Sequence, residues 1–129
     1  MPVFGGQPPE LWCWIAGVTL IVCTLTLMLS ETNRRKVIAS LGPLIGSTRT
    51  EPGCRICALL FDAEDPRRVV LWEEWESQAQ LDRHLGSEDY RLVLAAIEMS
   101  QEPPQLHFDT VAAREGLEVV EAARMPPTR

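Results

Sequence analysis

Few side chains in this chain are able to do chemistry, so each can be weighed. There are two histidines, His84 and His107, one tyrosine, Tyr90, and four cysteines, Cys13, Cys23, Cys54 and Cys57. An imidazole titrates near neutral pH, so His84 in "LDRHLGS" is a candidate base. Trp72 and Trp75 in "VVLWEEWES" could wall a flat ring. The Tyr90 hydroxyl could hydrogen-bond an oxygen on that ring, and Thr24 adds another hydroxyl. His84 and Trp75 are therefore the candidate catalytic pair, with Trp72, Tyr90 and Thr24 as substrate contacts. Each has a structural reading beside it: Trp75 and Tyr90 as core, His84 as a satisfied histidine, His107 as one position of an alternating strand. Glu73 and Glu74 are neighbours on a strand and face opposite sides, so they are not an acid–base couple.

Cys54 and Cys57 form "CRIC". Zinc would need further ligands at matching spacing, and each histidine stands alone. A redox C-x-x-C belongs at a helix N-terminus, where the dipole lowers the thiol pKa, whereas "CRICALLF" reads as a strand. Residues three apart on a strand point to opposite faces. The cysteines are read as reduced structural thiols of a cytoplasmic protein, with no metal site.

These residues must be positioned by surrounding elements. Ser30 or Thr32 can cap a helix whose Val37, Leu41, Leu44 and Ile45 share a face, with Arg34, Arg35 and Lys36 in solvent. Gly42-Pro43 should kink it, and "TEPG" should end it. "CRICALLFD" and "VVLWEEWE" make a hairpin around the turn "AEDPRR". Ser77 starts a short helix that stops at Gly86. Ser87 caps another with a Tyr90, Val93, Leu94, Ile97 stripe. "QLHFDTV" alternates as a strand, and "GLEVVEAA" is a last short strand or arm.

One strand is missing at the front of this order. Leu11–Leu29 is uncharged for nineteen residues, long enough for the lower range of a membrane span. Its end, "VTLIVCTLTL", is dense in Val, Ile and Thr and alternates with a period of two, which favours a strand. Met1–Glu10 has no Lys or Arg, so it lacks the positive start of a secretion signal. A strand there completes β-α-β-β-α-β, an α+β ferredoxin-like split βαβ with an antiparallel sheet. Helices cover one face, and the other calls for a partner sheet. The chain divides into an apolar extension at 1–17, the domain at 18–111, and a C-terminal strand or arm and tail at 112–129. Membrane contact through 11–17 stays open as the alternative to a cytoplasmic protein.

The net charge of −6 argues against a nucleic-acid partner, which would call for a basic excess. With 46% apolar and 23% charged residues in 129, the chain is one ordinary globular domain.

The stretches "STRTEPGC", "FDAEDPRRVVLWEEWESQAQLDRHLGSEDYR" and "EPPQLHFDTV" together resemble the antibiotic biosynthesis monooxygenase family, including its quinol monooxygenases. The resemblance runs from about Cys23 to Val111. It implies a ferredoxin-like fold paired into a dimeric α+β barrel, a homodimer. It also implies oxygenation of a small quinol- or phenol-like aromatic substrate by O2 without a cofactor. Trp75 and His84 occupy the matching "EEWES" and "HL" positions. The chain departs from the family pattern twice. Cys57 stands where a Tyr is common, and about 17 residues precede the domain. The first departure keeps a second reading alive, a non-catalytic ligand-binding barrel.

Overall fold

A computed structural model describes residues 20–127. The extension at 1–17 lies outside the described residues, as do Val18 and Thr19. The elements are β1 (Ile21–Met28), α1 (Glu31–Thr48), β2 (Cys54–Phe61), β3 (Arg68–Trp75), α2 (Gln78–Leu85), a 3₁₀ turn (Glu88–Tyr90), α3 (Arg91–Glu98), β4 (Gln105–Thr110) and α4 (Leu117–Arg124). The sheet order is β2-β3-β1-β4, antiparallel throughout. This is the ferredoxin-like split βαβ expected from the element order.

Alternation in β1 sets the two faces. Ile21, Cys23, Leu25 and Leu27 pair with Trp75, Glu73, Leu71 and Val69 of β3 and face the helices. Val37, Leu41, Leu44 and Ile45 of α1 pack on that face with Val93 and Ala96 of α3. Ser30 caps α1 by accepting a hydrogen bond from the Asn33 amide at 3.2 Å. The helix continues through Pro43, which is exposed, as is Ala39. The Ala39 carbonyl left free by the proline can therefore bond to water. Arg34 is not simply solvated: its guanidinium sits 4.6 Å over the Phe61 ring.

Three local expectations change. A β-bulge between Cys54 and Ile56 adds a residue to β2, so Cys54 pairs with Trp75 and Cys57 with Glu73. Both thiols thus lie on the helix side rather than on opposite faces. In α3 the buried positions are Val93 and Ala96, with Ile97 packed against the core, while Leu94 is exposed. The tighter 3₁₀ winding brings Tyr90 to this stripe with a different phase. "GLEVVEAA" forms the helix α4, not a strand, with no buried residue. Leu, Glu and Ala are strong helix formers, and the Glu118 carboxylate accepts a hydrogen bond from the Gly116 amide at 2.7 Å.

The sheet face away from the helices carries Thr24, Trp72 and His107 in one cross-strand row. Exposed Ile56 and Leu60 lie on it in β2. Glu74, on the same face, is buried and bonded to Arg114 at 3.1 Å and to the Trp72 indole N–H at 3.0 Å. Among the described residues, no helix is long and apolar enough to cross a membrane.

Candidate functional site

On the helix side, a polar cluster is buried within the apolar core. It begins with Glu73, which alternation in β3 turns toward the helices between Leu71 and Trp75. A carboxylate there must find partners or cost several kcal/mol. It finds two. The Trp75 indole N–H donates to Oε1 at 2.8 Å, and His84 Nε2 lies 3.3 Å from Oε2.

His84 reaches this point because α2 presents Leu81 and His84, three apart, on its inner face. Ser77 caps the helix by accepting from the Gln80 amide, and the helix ends at Gly86. The Ser87 hydroxyl then donates to the His84 carbonyl at 2.7 Å. The imidazole is 1% exposed. It stacks on Trp75 with ring centroids 4.7 Å apart and meets the Tyr90 ring edge-on at 5.3 Å.

The second ring nitrogen, Nδ1, is 3.2 Å from Glu51 Oε2. Glu51 sits in the loop between α1 and β2, which two contacts hold. The Arg49 Nε–H donates to the Cys57 carbonyl, and the Glu76 amide donates to the Gly53 carbonyl. Gly53 has φ +89°, and a Cβ there would overlap the Gln80 side chain. Glycine is required by both conformation and space.

Burial works against the His84 imidazolium. The hydrogen bond and charge of Glu73, with the charge and hydrogen bond of Glu51, outweigh it and hold the pKa above its ordinary 6.5. Tyr90 is pushed up to about 12 by burial, then by Glu73 and Cys23, so its hydroxyl keeps its proton. Burial, with Glu73 nearby, raises Cys23 and Cys57 to about 12 and Cys54 to about 11. These thiols are poor nucleophiles.

A crevice opens beside the cluster, lined by Cys23, Leu25, Leu71, Glu73, Leu85 and Tyr90, with Leu106 and Phe108 of β4 at one wall. It has room for about one water molecule. Glu73 and Tyr90 are the oxygen-bearing side chains of its lining. His84 and Trp75 stand behind Glu73. Leu106 and Phe108 are 40% and 45% exposed, so this wall borders solvent.

Comparison with known proteins agrees with this fold. The sequence model of the family described as antibiotic biosynthesis monooxygenase matches residues 20–96. The chain belongs to the antibiotic biosynthesis monooxygenase family. No curated protein matches it. Among solved structures, an antibiotic biosynthesis monooxygenase is 26% identical, with a TM-score of 0.62 over 69% of this chain and 95% of the other. A Mycobacterium tuberculosis protein is 26% identical, with a TM-score of 0.67 over 75% of this chain and 99% of its own. A Shewanella oneidensis protein is also 26% identical, with a TM-score of 0.60 over 73% of this chain and 94% of its own.

Within this family member, the structure brings three of the sequence-derived residues together: His84, Trp75 and Tyr90. Trp72 and Thr24 pair with each other on the opposite face of the sheet. Trp72 and Trp75 therefore do not wall the same ring, because residues three apart on a regular strand face opposite sides. His107 is on that outer face too. Two residues of the cluster are not among the sequence candidates, Glu51 and Glu73. A signal for Glu73 is present in β3, where a carboxylate shares the Leu71–Trp75 face of an apolar strand. The Glu51 contact spans 33 residues and leaves no local signal.

Proposed function

We propose that the protein is a cofactor-independent monooxygenase that oxidises quinol- or phenol-like aromatic molecules with O2, working as a homodimer. One observation carries this reading: a buried carboxylate, Glu73, lines an apolar crevice together with Tyr90 and is backed by His84. Carboxylates are ordinarily kept out of such surroundings. One held there, facing an apolar recess, is arranged to take a proton from something that enters.

The chemistry needs no external reductant. A hydroquinone such as reduced menadione loses its ring C–H hydrogen and its two hydroxyl hydrogens and gains one hydroxyl group, the other two hydrogens going to water. The product is a hydroxyquinone. One oxygen atom of O2 becomes the new hydroxyl, and the other leaves as water. Glu73 takes the first proton, giving an electron-rich anion that reduces O2. Tyr90 keeps its own proton and donates a hydrogen bond to a substrate oxygen. The apolar walls exclude water from the anion. A ring-sized substrate requires Leu85, Leu106 or Phe108 to move aside, because the crevice at rest is narrow. The homodimer is supported by the outer sheet face, where Ile56 and Leu60 are 42% and 45% exposed.

The test is oxygen uptake with reduced menadione and with anthrone, followed by mass spectrometry of product formed under ¹⁸O2. One labelled oxygen per product, at a rate above uncatalysed oxidation, is expected. Tight quinone binding with no uptake by any hydroquinone would instead make the protein a non-catalytic ligand-binding barrel.

A further inference from the structure

We propose that Glu51 is the outlet through which the buried Glu73–His84 pair trades protons with water, so that Glu73, His84 and Glu51 form one proton path from crevice to surface. Its use rests on the oxygenation reading above; its existence rests on geometry. Glu73 is 4% exposed and borders the crevice. His84 bridges it to Glu51 through its two ring nitrogens, at 3.3 and 3.2 Å. The Glu51 side chain is 30% exposed, whereas that of His84 is 1% exposed. The imidazole thus reaches the outer surface through Glu51, while its other partner, Glu73, faces the narrow crevice.

The other groups packed on the ring offer no competing route. Trp75, from β3, presents an aromatic face, and its N–H is already donated to Glu73. Tyr90, from the 3₁₀ turn, presents a ring edge. The charged groups facing His84 are Glu73 of β3 and Glu51 of the α1–β2 loop.

The transfers balance without moving electrons. Outward, the imidazolium starts with a hydrogen on each ring nitrogen. When Glu73 takes a proton and loses its charge, the Nδ1 proton passes to Glu51, and Glu51 releases it to water. The ring is left neutral with its hydrogen on Nε2. A proton travelling inward by the reverse steps resets it. An oxygenation that first removes a proton from substrate, and later returns one to reduced oxygen, uses the path once in each direction. Glu51 touches no substrate; it is a positioning residue that also hands on protons.

The test is the exchange of the His84 ring N–H protons with water, followed by NMR in the full chain labelled with ¹⁵N-histidine. In the wild type, the ring protons should exchange much faster than the core amides of β1. Glu51→Gln keeps the shape but cannot carry a proton, and should slow exchange about tenfold or more. Glu51→Asp keeps the acid and should retain rapid exchange, which a purely structural role would not distinguish from Gln. Equal exchange in wild type and Glu51→Gln overturns the outlet, as does equal slowing by Gln and Asp. Should Glu51→Gln fail to fold, wild-type ring protons exchanging as slowly as the β1 amides would overturn it alone. Oxygen uptake separates the two readings. A wild type that consumes no O2 removes the monooxygenase reading and leaves the exchange result standing. With both readings right, Glu51→Gln lowers kcat with little change in KM.

Discussion

Glu73→Gln should make the protein's stability less sensitive to pH from about 6 up through the raised folded pKa of His84, and the size of the change follows from the contacts. In the wild type, the imidazolium donates to two carboxylates, Glu73 and Glu51. Its pKa in the fold is raised above 6.5. A raised pKa on a base contributes stability that is fully present below the unfolded value of 6.5 and is lost as pH rises through the folded value. In Glu73→Gln, the amide oxygen can still accept from the Trp75 indole. The amide NH2 must then face Nε2, which accepts its hydrogen bond only when the ring is neutral. Above the raised folded pKa the variant should lie within about 1 kcal/mol of the wild type, since a neutral ring satisfies both sides. At pH 6 the variant loses a hydrogen bond to a charged group, worth about 1.5–3 kcal/mol. For a domain of this size, that is a fall in Tm of roughly 6–12 °C. Urea unfolding at a series of pH values, followed by far-UV circular dichroism, reads the gap directly. A gap that stays constant across this range, or widens toward high pH, would refute the assignment of Glu73 as the partner that keeps His84 protonated.

Other expectations concern neighbouring residues. Trp75→Phe removes the 2.8 Å bond to Glu73 and part of the stack on His84; it should cost about 2–3 kcal/mol in chemical denaturation. Gly53→Ala places a Cβ against Gln80 in a backbone with φ +89°; a loss of about 1–2 kcal/mol is expected, and an unchanged midpoint would contradict the need for glycine there. In a Cys13→Ser background, Cys23, Cys54 and Cys57 should resist iodoacetamide at pH 8 in the folded protein and react on denaturation, because burial raises all three thiols to about 11 or 12. Trp72→Phe, on the outer face, should leave the kcat and KM of oxygen uptake unchanged.

The sheet was largely legible because its signals are local. The alternation of Leu25 and Leu27 with Thr24 and Thr26 marks β1. Ser30, Ser77 and Ser87 mark three helix starts, and in each case the hydroxyl accepts a backbone amide. What was not legible depends on details that periodicity does not carry. The β2 bulge moves Cys54 to the same side as Cys57, and nothing in "CRIC" announces an extra residue. "GLEVVEAA" has residues suited to either a strand or a helix, and its exposed position leaves intrinsic propensity to decide.

The site divides in the same way. His84, Trp75 and Tyr90 are visible as rare residue types, and the fold does gather them. The side-chain directions were harder. Trp72 and Trp75 are close in sequence and yet on opposite faces, which strand alternation requires. Glu73 lies next to Glu74, and alternation separates these carboxylates too: one is buried against His84, the other paired with Arg114. Glu51 reaches His84 only after α1, the Gly53 turn and α2 are all in place, so a contact between distant segments completes the cluster.

The central claim, that Glu73 in the crevice is the base of an oxygenase, is tested most directly by steady-state O2 consumption with reduced menadione at pH 7.5, comparing wild type with Glu73→Gln. Removing a general base should lower kcat by about 10²–10⁴, while ¹H–¹⁵N spectra show the fold intact. A Glu73→Gln variant that consumes O2 as fast as the wild type would contradict it.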